Sequence, residues 1–357
     1  MIPVTKPFLP PIEEYKNYID GIWERNWLTN GGPLVNELEN ILKDYLGVKH
    51  FLFTNNGTVV LQMALKLLEK NGEVITTPFS YVATTNVILW EGFKPVFVDI
   101  NETDFCIDAN KIEAAITLDT VAILATHVYG NPCNVEAIEA IAKKYNLKVI
   151  YDAAHAFGSK YKGKQILTYG DFATCSFHAT KLYHTTEGGC IITNNDEAAQ
   201  KLKWMRSFGH EGDDYFSLGI NGKNSEFHAA MGLCNFPYLS EIISKRKNLC
   251  ETYKKLIQDL PLQIPLALEG TEYNSAYFPV VFPTEEIMEK VRKLFAEKKI
   301  FPRRYFYPSL NQLPFIKHDY SCPISESISS RALSLPLYTE LKEKDVAMIV
   351  ETLKQVF

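Results

Sequence analysis

Apolar runs in this chain, such as Val280–Phe282, are far too short to span a bilayer, which argues against a membrane-spanning role. The N-terminal stretch MIPVTKPFLPP lacks the basic-then-apolar pattern of a secretory signal. The seven cysteines are scattered, with no CxxC pair and no His/Cys spacing of a metal site. An odd, dispersed set suits reduced thiols, so the expectation is a cytoplasmic protein without a metal. No G-x-G-x-x-G occurs anywhere, which removes the usual dinucleotide fingerprint and with it a nicotinamide dehydrogenase. No internal repeat or low-complexity tract is visible. Net positive charge is also missing: Lys+Arg 37 against Asp+Glu 42 gives −5, so no bulk basic field favours nucleic acid.

What is present is an ordinary globular composition, 46% hydrophobic and 22% charged over 357 residues, enough for a large core and two domains. From about residue 55 to 195 helical and strand patterns alternate. Val60, Leu61, Ala64, Leu65 and Leu68 share one face of a helix predicted over Gly57–Lys70. Strands are predicted at Glu73–Thr77, Pro95–Asp99, Val121–Thr126, Leu147–Asp152, Phe172–Phe177 and Cys190–Thr193, with helices at Tyr81–Glu91 and Val135–Tyr145. This is the grammar of a mainly parallel sheet covered by helices on both faces. The polar, Gly-rich stretch 209–225 reads as a mobile loop. A long helix, roughly Leu239–Asp259, leads into a smaller α+β piece containing the strand Ala276–Phe282 and helices at Glu285–Lys298 and Glu343–Gln355. The expected division is a large α/β domain, 1–245, and a small C-terminal domain, 246–357. The Pro- and Trp-rich first 30 residues are expected to pack back on the small domain.

In such sheets ligands sit outside the carboxyl ends of the strands. Asn56-Gly57-Thr58 precedes a helix; it reads either as a plain cap or as a turn whose N–H groups face an anion. Asp152 ends a strand, ahead of Ala153-Ala154-His155, and reads as a cap or as a carboxylate over a cleft. Lys181, in DFATCSFHATKLYHTTEGGCIITNN, lies between two core strands, and taken alone it reads as a solvated loop lysine. Together, an amine, a carboxylate and an anion turn suit pyridoxal phosphate. That cofactor needs a lysine for its Schiff base, an acid for its ring nitrogen and a phosphate site.

The motif SFHATK…EGG following DAAHAFGS, with NWLTNGGPLVNELENILKDYLGV and RALSLPLY at the two ends, resembles the DegT-like sugar-nucleotide aminotransferases within the fold-type-I pyridoxal-phosphate enzymes. Resemblance covers nearly the whole chain. It implies that Lys181 is the Schiff-base lysine and Asp152 the partner of the pyridine nitrogen. Gly57 and Thr58 match the phosphate turn, Tyr81 the aromatic stacked on the ring, and Ser176 a phosphate-binding hydroxyl. His155 stands near the cofactor's phenolic oxygen, where many members carry glutamine. Asn221 matches an asparagine that reaches the neighbouring subunit's phosphate. That implies a homodimer with shared active sites, and a loop placed after the sheet domain is a poor place from which to reach its own turn. Where the family often has N-x-R, this chain has Asn221-Gly222-Lys223, which loses a planar fork.

The resemblance further implies amino transfer from L-glutamate to a nucleotide-linked keto-deoxyhexose. The implied acceptor is dTDP-4-keto-6-deoxyglucose, giving dTDP-4-amino-4,6-dideoxyglucose for surface polysaccharide such as lipopolysaccharide O-antigen. A 3-keto sugar is the alternative acceptor, and a cofactor-binding regulator without turnover the alternative role. A sugar dehydratase of the same family would carry histidine at position 181. Arg303, Arg304 and Tyr307, in FPRRYFYPSL, read as a diphosphate or base contact, or as a surface cluster. His178 and His184 read as core or rim histidines, or as substrate contacts.

Overall fold

The structure is a computed structural model that describes residues 1–68, 70–318 and 320–357. Its centre is a seven-stranded sheet in the spatial order His50–Thr54, Gly189–Thr193, Phe172–Ser176, Lys148–Asp152, Thr120–Thr126, Glu73–Thr76, Lys94–Phe97. Only Gly189–Thr193 runs antiparallel to its two neighbours; the other pairings are parallel. Alternate residues of each strand enter different cores. Ile75, Ile123, Tyr151 and Ile192 face one layer, and Val74, Leu124, Ile150 and Ile191 face the other. Burial on both faces explains why the strands read as continuous apolar runs. Each fully buried Ile or Leu contributes about 1.5–3 kcal/mol. The fold is therefore α/β, with a mainly parallel sheet between helices.

Most element ends fall within a residue or two of the sequence pattern. The helix from Gly57 stops at Lys66, earlier than the periodicity predicts, and Glu69 of the predicted range lies outside the described residues. The cause is the following strand. Glu73 N–H donates to Asp119 O at 2.8 Å, and Lys94 N–H to Gly72 O at 3.0 Å. A Cβ on Gly72 would meet Val121 Cγ1 at 2.9 Å, so the chain must turn into the sheet there. The stretch 209–225 is more ordered than a loop: His210–Glu211 pairs with Asp214–Tyr215, and Phe216 stacks on Trp204 at 4.4 Å.

The N-terminal segment divides its allegiance. Ile2–Pro3 pairs with Ile300–Phe301 of the small α+β part. The helix Ile12–Arg25 instead packs on the helix Glu226–Asn235 beside the sheet; Tyr15 donates to Phe227 O at 3.1 Å. A second helix, Pro33–Leu46, starts against buried Glu226, whose carboxylate accepts the N–H groups of Leu34 and Val35, each at 2.9 Å. Position 32 must be glycine for this, because a Cβ there would meet Glu226 Cδ at 2.5 Å.

The helix Leu239–Ile257 joins two cores. Leu239 and Ile242 belong to the sheet core, whereas Leu249, Cys250, Tyr253 and Ile257 join Phe278, Phe295, Leu333 and Ile349 in a separate one.

Candidate active site

Asp152 ends the strand Lys148–Asp152 and is paired in register with Thr126 of the neighbouring strand. Its carboxylate is buried and doubly held. Oδ2 accepts the Thr84 hydroxyl at 2.7 Å, and Oδ1 accepts the Ala154 N–H at 3.1 Å. Behind it runs a hydroxyl chain: Thr126 donates to Ser80 at 3.0 Å, and Ser80 meets Thr84 at 2.8 Å. All three hydroxyl residues are buried, so the chain fixes the rotamer of Asp152.

Lys181 sits on a tight excursion between the strands Phe172–Ser176 and Gly189–Thr193. The base of that excursion is closed by Phe177 N–H to Gly188 O at 2.8 Å and Ala179 N–H to Thr186 O at 2.7 Å. Lys181 N–H donates to His178 O at 2.8 Å. Burial pulls the amine below the usual lysine range, and the nearby Asp152 charge opposes this in part. A desolvated amine that gives up its proton more easily than a free lysine is a nucleophile.

Three further groups surround it. His155 is buried, and its Nδ1 accepts the Tyr129 N–H at 3.2 Å, which leaves the ring proton on Nε2. Burial, aided by the Lys181 charge, lowers its pKa well below the ordinary histidine value and keeps the ring neutral. Its ring stacks on Phe306 at 5.5 Å and meets Tyr277 edge-on at 4.8 Å. Tyr305 is close enough to act electrostatically on Lys181, and its ring meets Tyr277 at 5.7 Å. Tyr81 precedes the helix Val82–Trp90 and leaves its ring 54% exposed.

The helix Gly57–Lys66 begins with Asn56, whose side-chain oxygen accepts the N–H groups of Thr58 and Val59, each at 2.9 Å. Gly57 is there for proximity: a Cβ would meet Ser176 Cβ at 2.7 Å. The Gly57 turn and the Ser176 hydroxyl thus meet at the end of the sheet, on the dipole-positive end of the helix that Thr58 enters.

These residues fit pyridoxal phosphate. The close approach of Gly57 to Ser176 brings the N-terminus of the helix and the Ser176 hydroxyl together, where a phosphate would find donors. A partly buried amine lies near a buried carboxylate. A neutral imidazole donor and an uncovered aromatic ring complete the set.

The loop that carries Asn221 lies closer to the phosphate turn of its own chain than its place in the sequence implies. Its backbone is tied to its own chain's turn: Asn55 Nδ2 donates to Asn221 O at 3.1 Å, and Asn55 N–H to Gly222 O at 3.1 Å. The bridge of Asn221 to Ser207 folds the loop back onto the sheet edge, so it is not remote from Gly57-Thr58 as expected. Its side chain is exposed. Arg304 pairs with Glu285 at 2.9 Å and Glu289 at 3.3 Å, donates to Ser330 O, and stacks on Tyr307 at 3.4 Å. Arg303 is exposed, with its guanidinium 4.9 Å from the Tyr305 ring, which places it nearer the cleft. His184 is a core residue, with Nε2 2.7 Å from Phe8 O and Nδ1 accepting the Thr186 N–H. His178 is exposed, 2.8 Å from the Thr180 hydroxyl. Thr84, Tyr277 and Tyr305 carry no local motif, and reading the sequence alone passes over them.

A model of the DegT/DnrJ/EryC1/StrS aminotransferase family matches residues 11–354. The chain is 41% identical over 362 residues to a dTDP-4-amino-4,6-dideoxy-D-glucose transaminase of Escherichia coli, covering 99% of this chain and 98% of the relative. It is 39% identical, with the same coverage, to a protein of that name from Shigella dysenteriae. Among solved structures it superposes on DesI in the presence of its TDP-sugar product, with a TM-score of 0.94 and 29% identity, covering 99% of this chain and 92% of that one.

Proposed function

The chain belongs to the DegT/DnrJ/EryC1/StrS aminotransferase family and is a sugar aminotransferase, and from that premise we propose that it transfers the amino group of L-glutamate to dTDP-4-keto-6-deoxyglucose. The product is dTDP-4-amino-4,6-dideoxyglucose, a building block for surface polysaccharide. The observation that carries the substrate is the 41% identity across 99% of the chain to a relative of that named activity. The juxtaposition of the partly buried Lys181 with Asp152 supports the chemistry.

Pyridoxal phosphate, when bound, supplies an electron sink for the carbanion formed at the reacting carbon. The chain's own groups do the rest. Lys181 attacks a carbonyl as a neutral amine and later moves a proton with the same nitrogen. Asp152, held by Thr84 and the Ala154 N–H, keeps the proton on a ring nitrogen placed against it. His155 offers its Nε2 proton to a phenolic oxygen. Tyr81 would cover one face of the cofactor ring, and Gly57, Thr58 and Ser176 would hold its phosphate. Arg303 meets the diphosphate of the sugar nucleotide.

The working unit is a homodimer with shared sites, in which the exposed side chain of Asn221 reaches the neighbour's phosphate. The exposed apolar residues Phe208, Tyr215, Phe216 and Leu218 of the same loop favour an interface there. Among the described residues no helix is long and apolar enough to cross a membrane.

The test is incubation with L-glutamate and a panel of 3-keto and 4-keto dTDP- and UDP-hexoses, with NMR of each product. Amination at C4 of the dTDP sugar is expected. Amination at C3, or preference for UDP sugars, overturns the substrate; no amination of any sugar overturns the reaction.

A further inference from the structure

Tyr305 is held at its backbone and its ring and left free at its hydroxyl. Its carbonyl accepts the hydroxyl of buried Tyr129, the residue whose N–H also meets His155 Nδ1. The Arg303 guanidinium lies over its ring at 4.9 Å, and the ring meets Tyr277 edge-on, at 86° and 5.7 Å. The phenol oxygen bonds to nothing among the described residues. Tyr305 is only half-buried, and its oxygen is not one of the enclosed unpartnered atoms, so it keeps surface open to the cleft. Lys181 and Tyr81 both act electrostatically on this phenol, which therefore faces the same space as the amine. Burial pushes the phenol above the ordinary tyrosine range, so it stays a neutral hydroxyl. A donor fixed in advance loses little freedom when a ligand meets it.

The Tyr305 ring thus links the Arg303 guanidinium to the space beside Lys181. Arg303, Tyr305 and Lys181 parallel the diphosphate, the sugar ring and the keto carbon of the acceptor. In a 4-keto-6-deoxyhexose the reacting carbon has two ring neighbours. C5 carries the methyl group and the ring oxygen, and C3 alone carries a hydroxyl. We propose that Tyr305 is a specificity-determining residue whose phenol hydrogen-bonds the C3 hydroxyl of the acceptor sugar. Resting on the acceptor read above, this role makes Tyr305 a reader of the sugar and not of the amino donor, since L-glutamate has no hydroxyl beside its reacting carbon. A site that hydrogen-bonds a substrate hydroxyl discriminates against the analogue that lacks it.

The test is calorimetric titration of the cofactor-loaded protein with dTDP-4-amino-4,6-dideoxyglucose, its 3-deoxy analogue and dTDP. The wild type should bind the amino sugar about three- to tenfold more tightly than the 3-deoxy analogue, the worth of one neutral hydrogen bond. Tyr305→Phe keeps the ring and backbone contacts and should fold, because the oxygen it removes bonds to nothing in the chain. It should bind the two sugars equally, and dTDP as the wild type does. In single-turnover kinetics the same variant should slow the sugar half-reaction and spare the L-glutamate half-reaction. Equal affinity of the wild type for the two sugars overturns the role, with no variant needed. So does discrimination undiminished in Tyr305→Phe, or equal slowing of both half-reactions. A wild type that binds the amino sugar no better than dTDP overturns the acceptor as well.

Discussion

Thr84 gives its hydroxyl proton to Asp152 across 68 residues of sequence, at 2.7 Å, and that bond sets the direction in which the carboxylate points. Asp152→Asn should fold and retain much cofactor binding, yet lose about one to two powers of ten in turnover. An amide cannot hold a ring proton by charge, and a charge-assisted bond is worth roughly 1.5–3 kcal/mol. Thr84→Val should lose less, because the charge remains and only its orientation is freed. Steady-state turnover beside circular dichroism checks both. Near-wild-type turnover in Asp152→Asn contradicts the assigned role.

Lys181 has a folded-state pKa below that of the unfolded chain, chiefly through burial. Its contribution to stability is therefore unfavourable below the folded value, and is relieved as pH rises from there toward the ordinary lysine range. In the cofactor-free protein, Lys181→Met should be more stable than wild type at neutral pH, with the gap shrinking as pH rises. The same variant should abolish turnover and the borohydride-reducible bond to the cofactor. Urea titrations at several pH values give the first result and mass spectrometry the second. A variant that still forms the reducible bond assigns the chemistry to another lysine.

Asp104 is a buried carboxyl whose pKa rises from 3.8 to about 7, mainly by burial, although it accepts the Cys106 N–H at 2.8 Å. Here the folded value lies above the unfolded one, so stability is lost as pH climbs from the ordinary carboxylate range through about 7. Asp104→Asn keeps an acceptor oxygen without the charge. It should match wild type near pH 4 and exceed it near pH 8 by about 2–4 kcal/mol, taking 1.36 kcal/mol per pKa unit. A constant difference across that range would place the penalty elsewhere.

Subunit mixing tests the shared site. Lys181→Ala and Asn221→Asp should each be inactive, the second because an aspartate repels phosphate. If Asn221 serves the neighbouring site, a mixed dimer holds one site with both defects and one with neither, and activity approaches half of wild type per mixed dimer. Because Asn221 also lies beside its own Asn55, verified subunit exchange without recovery assigns it to its own chain.

The sheet was legible because its strands are buried on both faces and end in turn residues. Lys181, Asp152 and the Gly57 turn were legible as candidates because each sits at a strand end next to a local pattern. What escaped is assembled from a distance. Glu226 begins the helix Pro33–Leu46 from 192 residues away, and Thr84 reaches Asp152 only after two strands and a helix have been packed. Tyr277 and Tyr305 approach the site from the small α+β part, where no local spacing marks them. The helix end at Lys66 escaped for another reason: the tight approach of Gly72 to Val121 overrides a periodicity that continues past it.

All seven thiols are buried and none is paired, which turns the cysteines into a clock. Cys106, Cys133, Cys175 and Cys190 lie within the sheet core, and Cys250 lies in the core of the small α+β part. An alkylating reagent reaches each only when its surroundings open, so modification rates read local opening free energies site by site. A common rate at Cys250 and Cys175 would mean that the helix Leu239–Ile257 binds both cores into one cooperative unit; a faster Cys250 would mean that the smaller core breathes on its own.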